Sequence, residues 1–254
     1  MEISYLSSMH SVMLTMKQKM QANNLDNKLI KSHVTNKSRE FLIMHPEYKM
    51  TPLQKIKYNR LIKKRAVGIP LAYLTGHKEF FELDFFVNKH TLVPRPDTEL
   101  MVEEAIKKIT KKTTIIDIGT GSGCIPISIL KNIKQKNIQT FATDISRGAL
   151  RIAKKNAKKH NVDITFLHGN LLEPIIPKIK TQNTELVITA NLPYLDESWY
   201  DESPSIKYEP KSALVAKEKG TALYRELLEQ IDKTKSSAIV MMEIDPRQVD
   251  DMKK

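Results

Sequence analysis

The sequence predicts an α/β protein. Its main part is a Rossmann-like, doubly wound parallel sheet, preceded by a small all-α segment and a β-hairpin. Three observations predict this. From Thr113 onward, short β-branched runs alternate with stretches of helical length, the order of a sheet with helices on its faces. The stretch TTIIDIGTGSGC, Thr113 to Cys124, reads as strand, glycine turn and helix start. Residues 1–75 carry helical apolar spacing and no strand-like alternation.

Composition sets the outer bounds. A chain of 254 residues with 41% hydrophobic content holds one large domain, or a large and a small one, around a real core. Its apolar runs are short and broken by charge, so no membrane span is expected. The first twenty residues lack the basic start and small-residue cleavage site of a signal peptide. A single cysteine excludes a disulfide framework and suits a reducing, cytoplasmic setting. One cysteine and seven histidines without ligand spacing predict no metal. The net charge of +12 fits a nucleic-acid or ribosome-associated partner, and it fits at least as well a solvated surface, since it comes mostly from lysines scattered along helices, such as Lys107-Lys108 and Lys154-Lys155.

In chain order, the N-terminal helices are marked by Leu29, Ile30 and Val34, then Phe41 to Ile43, then Leu53, Ile56, Tyr58, Leu61 and Ile62. Thr51-Pro52 reads as N-cap and first helical position of the third. Residues 76–98 form the expected hairpin linker. Thr75-Gly76 makes a turn, aromatic and apolar residues run from Phe80 to Val87, and Pro94-Arg95-Pro96 stiffens the exit. Thr98 or Asp97 is expected to cap a helix over Glu99–Ile109. Residues 99–254 form the sheet domain. Its expected strands are Thr113–Asp117, Ile138–Thr143, Ile164–Leu167, Leu186–Ala190 and Ala238–Ile244. The helices are Ile125–Asn132, Ser146–Asn161 and Thr221–Lys233, and Pro126 is tolerable in a first turn.

The chain has only 8 glycines, and Gly119, Gly121 and Gly123 stand within five residues. A P-loop would need Gly-Lys-Ser/Thr. A dinucleotide loop would put its third glycine at position 124, which is Cys124, read here as buried filler. The pattern Asp117-x-Gly119-Thr120-Gly121-Ser122-Gly123 instead resembles motif I of class I S-adenosyl-L-methionine (AdoMet) methyltransferases. A second strand ends in Asp144, placed to accept hydrogen bonds from both hydroxyls of a ribose. Asp117, Asp144, Gly169-Asn170 and Asn191 are all expected at carboxyl ends of strands, so four loops should converge on one crevice.

Ala190 leads into Asn191-Leu192-Pro193-Tyr194. A planar nitrogen, as in an amide or exocyclic amine, is a poor nucleophile because its lone pair is delocalised. The Asn191 side-chain oxygen and a backbone carbonyl, Leu192's, can accept both of its hydrogens and aim the lone pair at a methyl group. Tyr194 can stack on the planar group, and Pro193 stiffens the turn. The gain is near-attack positioning with charge stabilisation on nitrogen.

The chain resembles the PrmC/HemK-type release factor glutamine methyltransferase family over about Asn27 to Gln248. The most specific likeness lies in Pro70 to Gly76, Glu79-Phe80-Phe81, Leu92-Val-Pro94-Arg95-Pro96-Asp97-Thr98-Glu99, and Lys207-Tyr208-Glu209-Pro210 with Ala213-Leu214. The resemblance implies AdoMet-dependent N5-methylation of the glutamine in the Gly-Gly-Gln motif of peptide chain release factors. Asp117 and Gly119 to Gly123 would hold AdoMet with Asp144, Asn170, Leu171 and Asn191, and Asn191 to Tyr194 would take the glutamine. The helical segment would dock the release factor, with no nucleic acid required and a monomer expected. Three departures stand out. Leu192 replaces a proline, Asn170 replaces a common acid, and the chain stops at Lys254 before the family's last two strands, so a C-terminally truncated domain is expected. Two alternatives share the motifs: an N6-adenine methyltransferase acting on RNA or DNA, and a degenerate AdoMet-binding protein.

Overall fold

The structure, a computed structural model, describes residues 24–135, 137–179, 185–201 and 206–253. The N-terminal stretch read for a signal peptide lies outside the described residues. The chain divides into two compact units, Met1–Thr75 and Gly76–Lys254.

The first unit is helical: α1 over 24–35, α2 Arg39–Met44, α3 Pro52–Ala66 and α4 Leu71–Thr75. Thr51 caps α3 through a reciprocal box with Gln54, and Pro52 takes the first helical position, where no N–H is needed. Ile30, Val34 and Leu61 form its small core with Tyr58, Ile62, Leu71 and Leu74 against them. Leu53 and Ile56 have the expected helical spacing but face water, at 79% and 66% exposure. Helix α4 falls within the Pro70 to Gly76 stretch, ahead of the expected linker.

The second unit opens with the hairpin β1 His77–Phe80 and β2 Leu83–Phe86. Its two-residue turn puts Phe81 and Glu82 at φ of 49° and 59°, a left-handed pair that Gly or Asn usually supplies. The Glu99 carboxylate accepts the Phe81 N–H at 2.9 Å and holds the turn.

The sheet has five parallel strands: β3 Thr113–Ile118, β4 Thr140–Asp144, β5 Thr165–His168, β6 Glu185–Ala190 and β7 Ala238–Met242. Their order is β5-β4-β3-β6-β7, the doubly wound arrangement with its switch point between β3 and β6. The helices are α5 Glu99–Lys108, α6 Cys124–Asn132, α7 Arg147–His160, α8 Ile176–Ile179, α9 Glu197–Asp201, α10 Ala222–Asp232 and α11 Val249–Met252. Ser146 caps α7, and Asn161 ends it at φ 53°.

Strand alternation divides the core in two. Ile115, Ala142 and Val187 pack with Val102 and Ala105 of α5, Ile125 and Ile129 of α6, and Phe80 and Phe85 of the hairpin. Ile116, Ile118, Ile188 and Ala190 pack with Ile175, Ile179 and the α10 residues Tyr224 and Leu227. Burying each of the larger of these side chains contributes about 1.5–3 kcal/mol, and the sheet also buries threonines such as Thr114, Thr143 and Thr189. None of the described helices is long and apolar enough to cross a membrane.

Thr98 takes the N-cap position of α5 as expected, but without a side-chain cap bond. Thr98 closes a 3₁₀ turn over Pro96–Thr98 that runs straight into the helix, and neither it nor Arg95 makes a side-chain cap bond. Pro96 fixes the turn's φ, so the chain enters helically without a cap bond. The Thr98 hydroxyl is left for a different partner.

Candidate active site

A cleft opens beyond the carboxyl ends of β3 and β6, where connections diverge. Its wall includes Gly119, Thr120, Gly121 and Ser122 after β3, Asp144 after β4, Gly169, Asn170 and Leu171 after β5, and Asn191, Leu192 and Pro193 after β6. The wall also includes Pro94, Arg95 and Thr98 before α5, and Pro210, Ser212 and Ala213 before α10. These last two segments carried family likeness in the sequence but no chemical role. The closely spaced Pro94 and Pro96 were the one local signal, in the first of the two.

The glycine bend is built on left-handed residues. Gly119 and Gly121 have φ of 68° and 55°. A Cβ at Gly119 would sit 3.0 Å from the tip of the Leu192 side chain, a tight contact, and the positive φ adds backbone strain for any other residue. Asp144 fixes the bend, its carboxylate accepting N–H bonds from Gly121 at 2.9 Å and from Ser146 at 2.7 Å. Burial holds its carboxyl above the usual range despite these bonds. Each oxygen keeps a lone pair for a further donor. Asn170 is oriented in the same way: its amide nitrogen donates to Glu226 at 2.6 Å, so its oxygen is an acceptor.

Three expected site residues are not in the cleft wall. Strand β3 continues to Ile118, so Asp117 is an interior strand residue beside Ala142 and Thr189 rather than its end. Alternation turns it toward the α6 face, where it is fully buried and accepts the Thr189 hydroxyl at 2.7 Å. Gly123 turns toward α7: a Cβ there would lie 3.2 Å from that of Ala153, so this glycine serves helix packing. Tyr194 packs against the α10-side core, and its hydroxyl donates to Glu243 at 3.3 Å. Burial, then the Glu243 carboxylate, pushes its phenol up to about 12.

Burial pushes the Asp117 carboxyl up to about 7, and one of its oxygens has no partner. The folded state therefore holds a proton between about pH 4 and pH 7 that the unfolded chain has released. This contribution to stability is greatest below the unfolded value, falls by up to about 1.4 kcal/mol per unit between about pH 4 and pH 7, and levels off above that. Asp117→Asn should remove that slope. The difference in melting temperature between variant and parent should grow in the variant's favour from pH 5 to pH 8, and a constant difference would show an ionised Asp117 throughout. Cys124, read as filler, is buried in the core with its thiol pushed up to about 12 by burial.

Asn191 is half-buried in the cleft wall. Its amide nitrogen donates to the Thr98 hydroxyl at 3.1 Å. Leu192 is buried, its N–H donating to the Tyr224 hydroxyl at 3.2 Å. The lip of the cleft is clasped by Glu209, which accepts from Arg95 at 2.5 Å and from the Val93 N–H at 2.9 Å. Glu209 is itself buried while the Arg95 side chain is 36% exposed, so the two segments flanking the cleft are joined by a charge-assisted link buried at its acidic end.

Two families match the chain: the PrmC N-terminal domain over residues 14–76 and the methyltransferase small domain over residues 96–196. A release factor glutamine methyltransferase of Bacillus anthracis is 35% identical over 233 residues, covering 89% of this chain and 81% of the relative. One from Enterococcus faecalis is 36% identical, covering 74% of this chain and 66% of the relative. Among solved structures, the catalytic domain of hMettl16 in complex with MAT2A 3′UTR hairpin 6 aligns at a TM-score of 0.51. It covers 80% of this chain and 72% of that one, and at 15% identity it shares the fold alone.

Proposed function

Because the chain belongs to the release factor glutamine methyltransferase family, we propose that it methylates the side-chain amide N5 of the glutamine in the Gly-Gly-Gln motif of peptide chain release factors, with AdoMet as donor. The observation that carries the reading is Asn191: at the switch point of the sheet, its amide oxygen is an uncommitted acceptor among the described residues. The cofactor, when bound, supplies a methyl group on a cationic sulfur that departs as a neutral thioether.

The wall suits that cofactor by its donor set. In this reading Asp144 takes the ribose hydroxyls, Asn170 accepts from the adenine amino group with Leu171 beside the ring, and the bend Gly119 to Ser122 holds the methionine part. Asn191 accepts one hydrogen of the substrate amide and the Leu192 carbonyl the other, while Pro193 keeps that carbonyl in place. Tyr194 and Asp117 support the site from behind its wall. The amide sheds its extra proton to water after transfer, so no tuned base is needed. Residues 1–75 dock the release factor and residues 76–98 lead into the catalytic part. The chain acts as a monomer in the cytoplasm, and nucleic acid is not required.

Mass spectrometry of a release factor incubated with the protein and AdoMet should find one added methylene on the Gly-Gly-Gln peptide. An unmodified peptide, or methyl label transferred to adenine in RNA instead, would overturn the reading. Asp144→Ala should weaken AdoMet binding by about 3 kcal/mol, the worth of one or two hydrogen bonds to a charged group, with part of the loss coming from a loosened Gly121 turn. Calorimetry showing unchanged affinity would assign the ribose to another residue.

A further inference from the structure

Resting on that reading, we propose that Glu243 is a positioning residue that fixes which way the Asn191 amide faces, and so makes the site select a hydrogen-bearing amide over a carboxylate. Glu243 follows β7, and its N–H donates to the carbonyl of Ala190 at 3.2 Å, one residue before Asn191. One oxygen of its side chain accepts the Thr98 hydroxyl at 2.6 Å. Thr98 lies in turn 3.1 Å from the Asn191 amide nitrogen and is buried.

The direction of this relay is fixed by elementary chemistry. A carboxylate can only accept, so Thr98 must donate to Glu243. A hydroxyl has one hydrogen, so toward Asn191 Thr98 can offer only a lone pair. The atom facing it must be the NH₂ group, which leaves the Asn191 oxygen for the substrate. The second Glu243 oxygen accepts from Tyr194 at 3.3 Å, which ties the other end of the carboxylate, and the Tyr224 hydroxyl donates to the Glu243 backbone carbonyl, which holds the main chain there. A glutamine amide then meets an acceptor, whereas a glutamate carboxylate meets an acceptor that repels it. The Glu243→Gln substitution supplies an amide that donates to Thr98, reverses the relay and presents the Asn191 NH₂ group instead.

The test compares binding of a release-factor domain carrying Gly-Gly-Gln with the same domain carrying Gly-Gly-Glu, alongside turnover. The parent should prefer the glutamine form by about tenfold or more, as expected where a mismatched polar group is left unpaired. Glu243→Gln should compress that ratio to about 2 or less and lower kcat by about 100-fold, with AdoMet affinity and melting temperature held. Thr98→Ala should lose selectivity as well, and Thr98→Ser should recover it. The Thr98→Ala/Glu243→Gln double variant should be no worse than the worse single, because both cut one relay. A glutamine preference kept in Glu243→Gln, or losses that add in the double variant, would overturn the proposal while leaving the function standing. A parent that neither prefers nor methylates the glutamine form would overturn the function and this inference together.

Discussion

Replacing Asn191 with alanine should lower kcat by about 10²–10³-fold while leaving AdoMet affinity within about twofold. The amide of a glutamine is flat and its lone pair is tied up in resonance. Attack requires that the nitrogen be turned so that density points at the methyl carbon, and the Asn191 oxygen is the side-chain acceptor placed to do it. Alanine removes that acceptor and leaves the adenosine end of the cleft untouched, because Asp144 and Asn170 have their own supports in Gly121, Ser146 and Glu226. Single-turnover rates and calorimetry separate the two quantities. Equal loss of both would mean that Asn191 shapes the cofactor site instead.

Gly220→Ala should cost about 4 kcal/mol or more and lower the melting temperature by about 10 °C. Gly220 has φ 87°, and a Cβ there would lie 1.9 Å from the carbonyl oxygen of Tyr194 and 2.3 Å from the side-chain nitrogen of Gln248. Gln248 donates to that same carbonyl at 2.7 Å and to the carbonyl of Lys219 at 2.6 Å, so the added methyl would break a buried clasp behind the Asn191–Tyr194 turn. Gly76 makes the control. Its φ is 78° but no atom lies within 4 Å of a built Cβ, so Gly76→Ala should show the backbone strain alone, about 1 kcal/mol. Denaturant melts of both variants test the difference. A Gly220→Ala protein as stable as Gly76→Ala would show that the Tyr194 turn can move aside at little cost.

Much of the site could be read directly from the residues. Glycine at alternate positions after a β-branched run means a left-handed bend at a strand end, and the bend is there at Gly119 and Gly121. Asp144 and Asn191 close short apolar runs, and both stand in the cleft. Strand ends were less legible. The run read as Ile138–Thr143 forms a strand only from Thr140, because pairing with β3 decides where a ladder begins. One residue of difference at β3 moved Asp117 from the lip of the cleft into the core, since strand side chains alternate faces and a single step reverses direction.

What the sequence alone determined was the local grammar: an α/β order, a glycine bend after β3, an acid after β4 and an asparagine turn after β6. Each depends on φ preference, β-branching or a charge that ends an apolar run, and those act within a few residues. Only the tertiary structure decided that Thr98, Asn191 and Glu243 form one hydrogen-bonded line, and that Glu209 clasps Arg95 across more than a hundred residues. Such partners come from strand order. The β3–β6–β7 neighbourhood is set by how the whole sheet buries its two faces, and no short window of sequence carries that information.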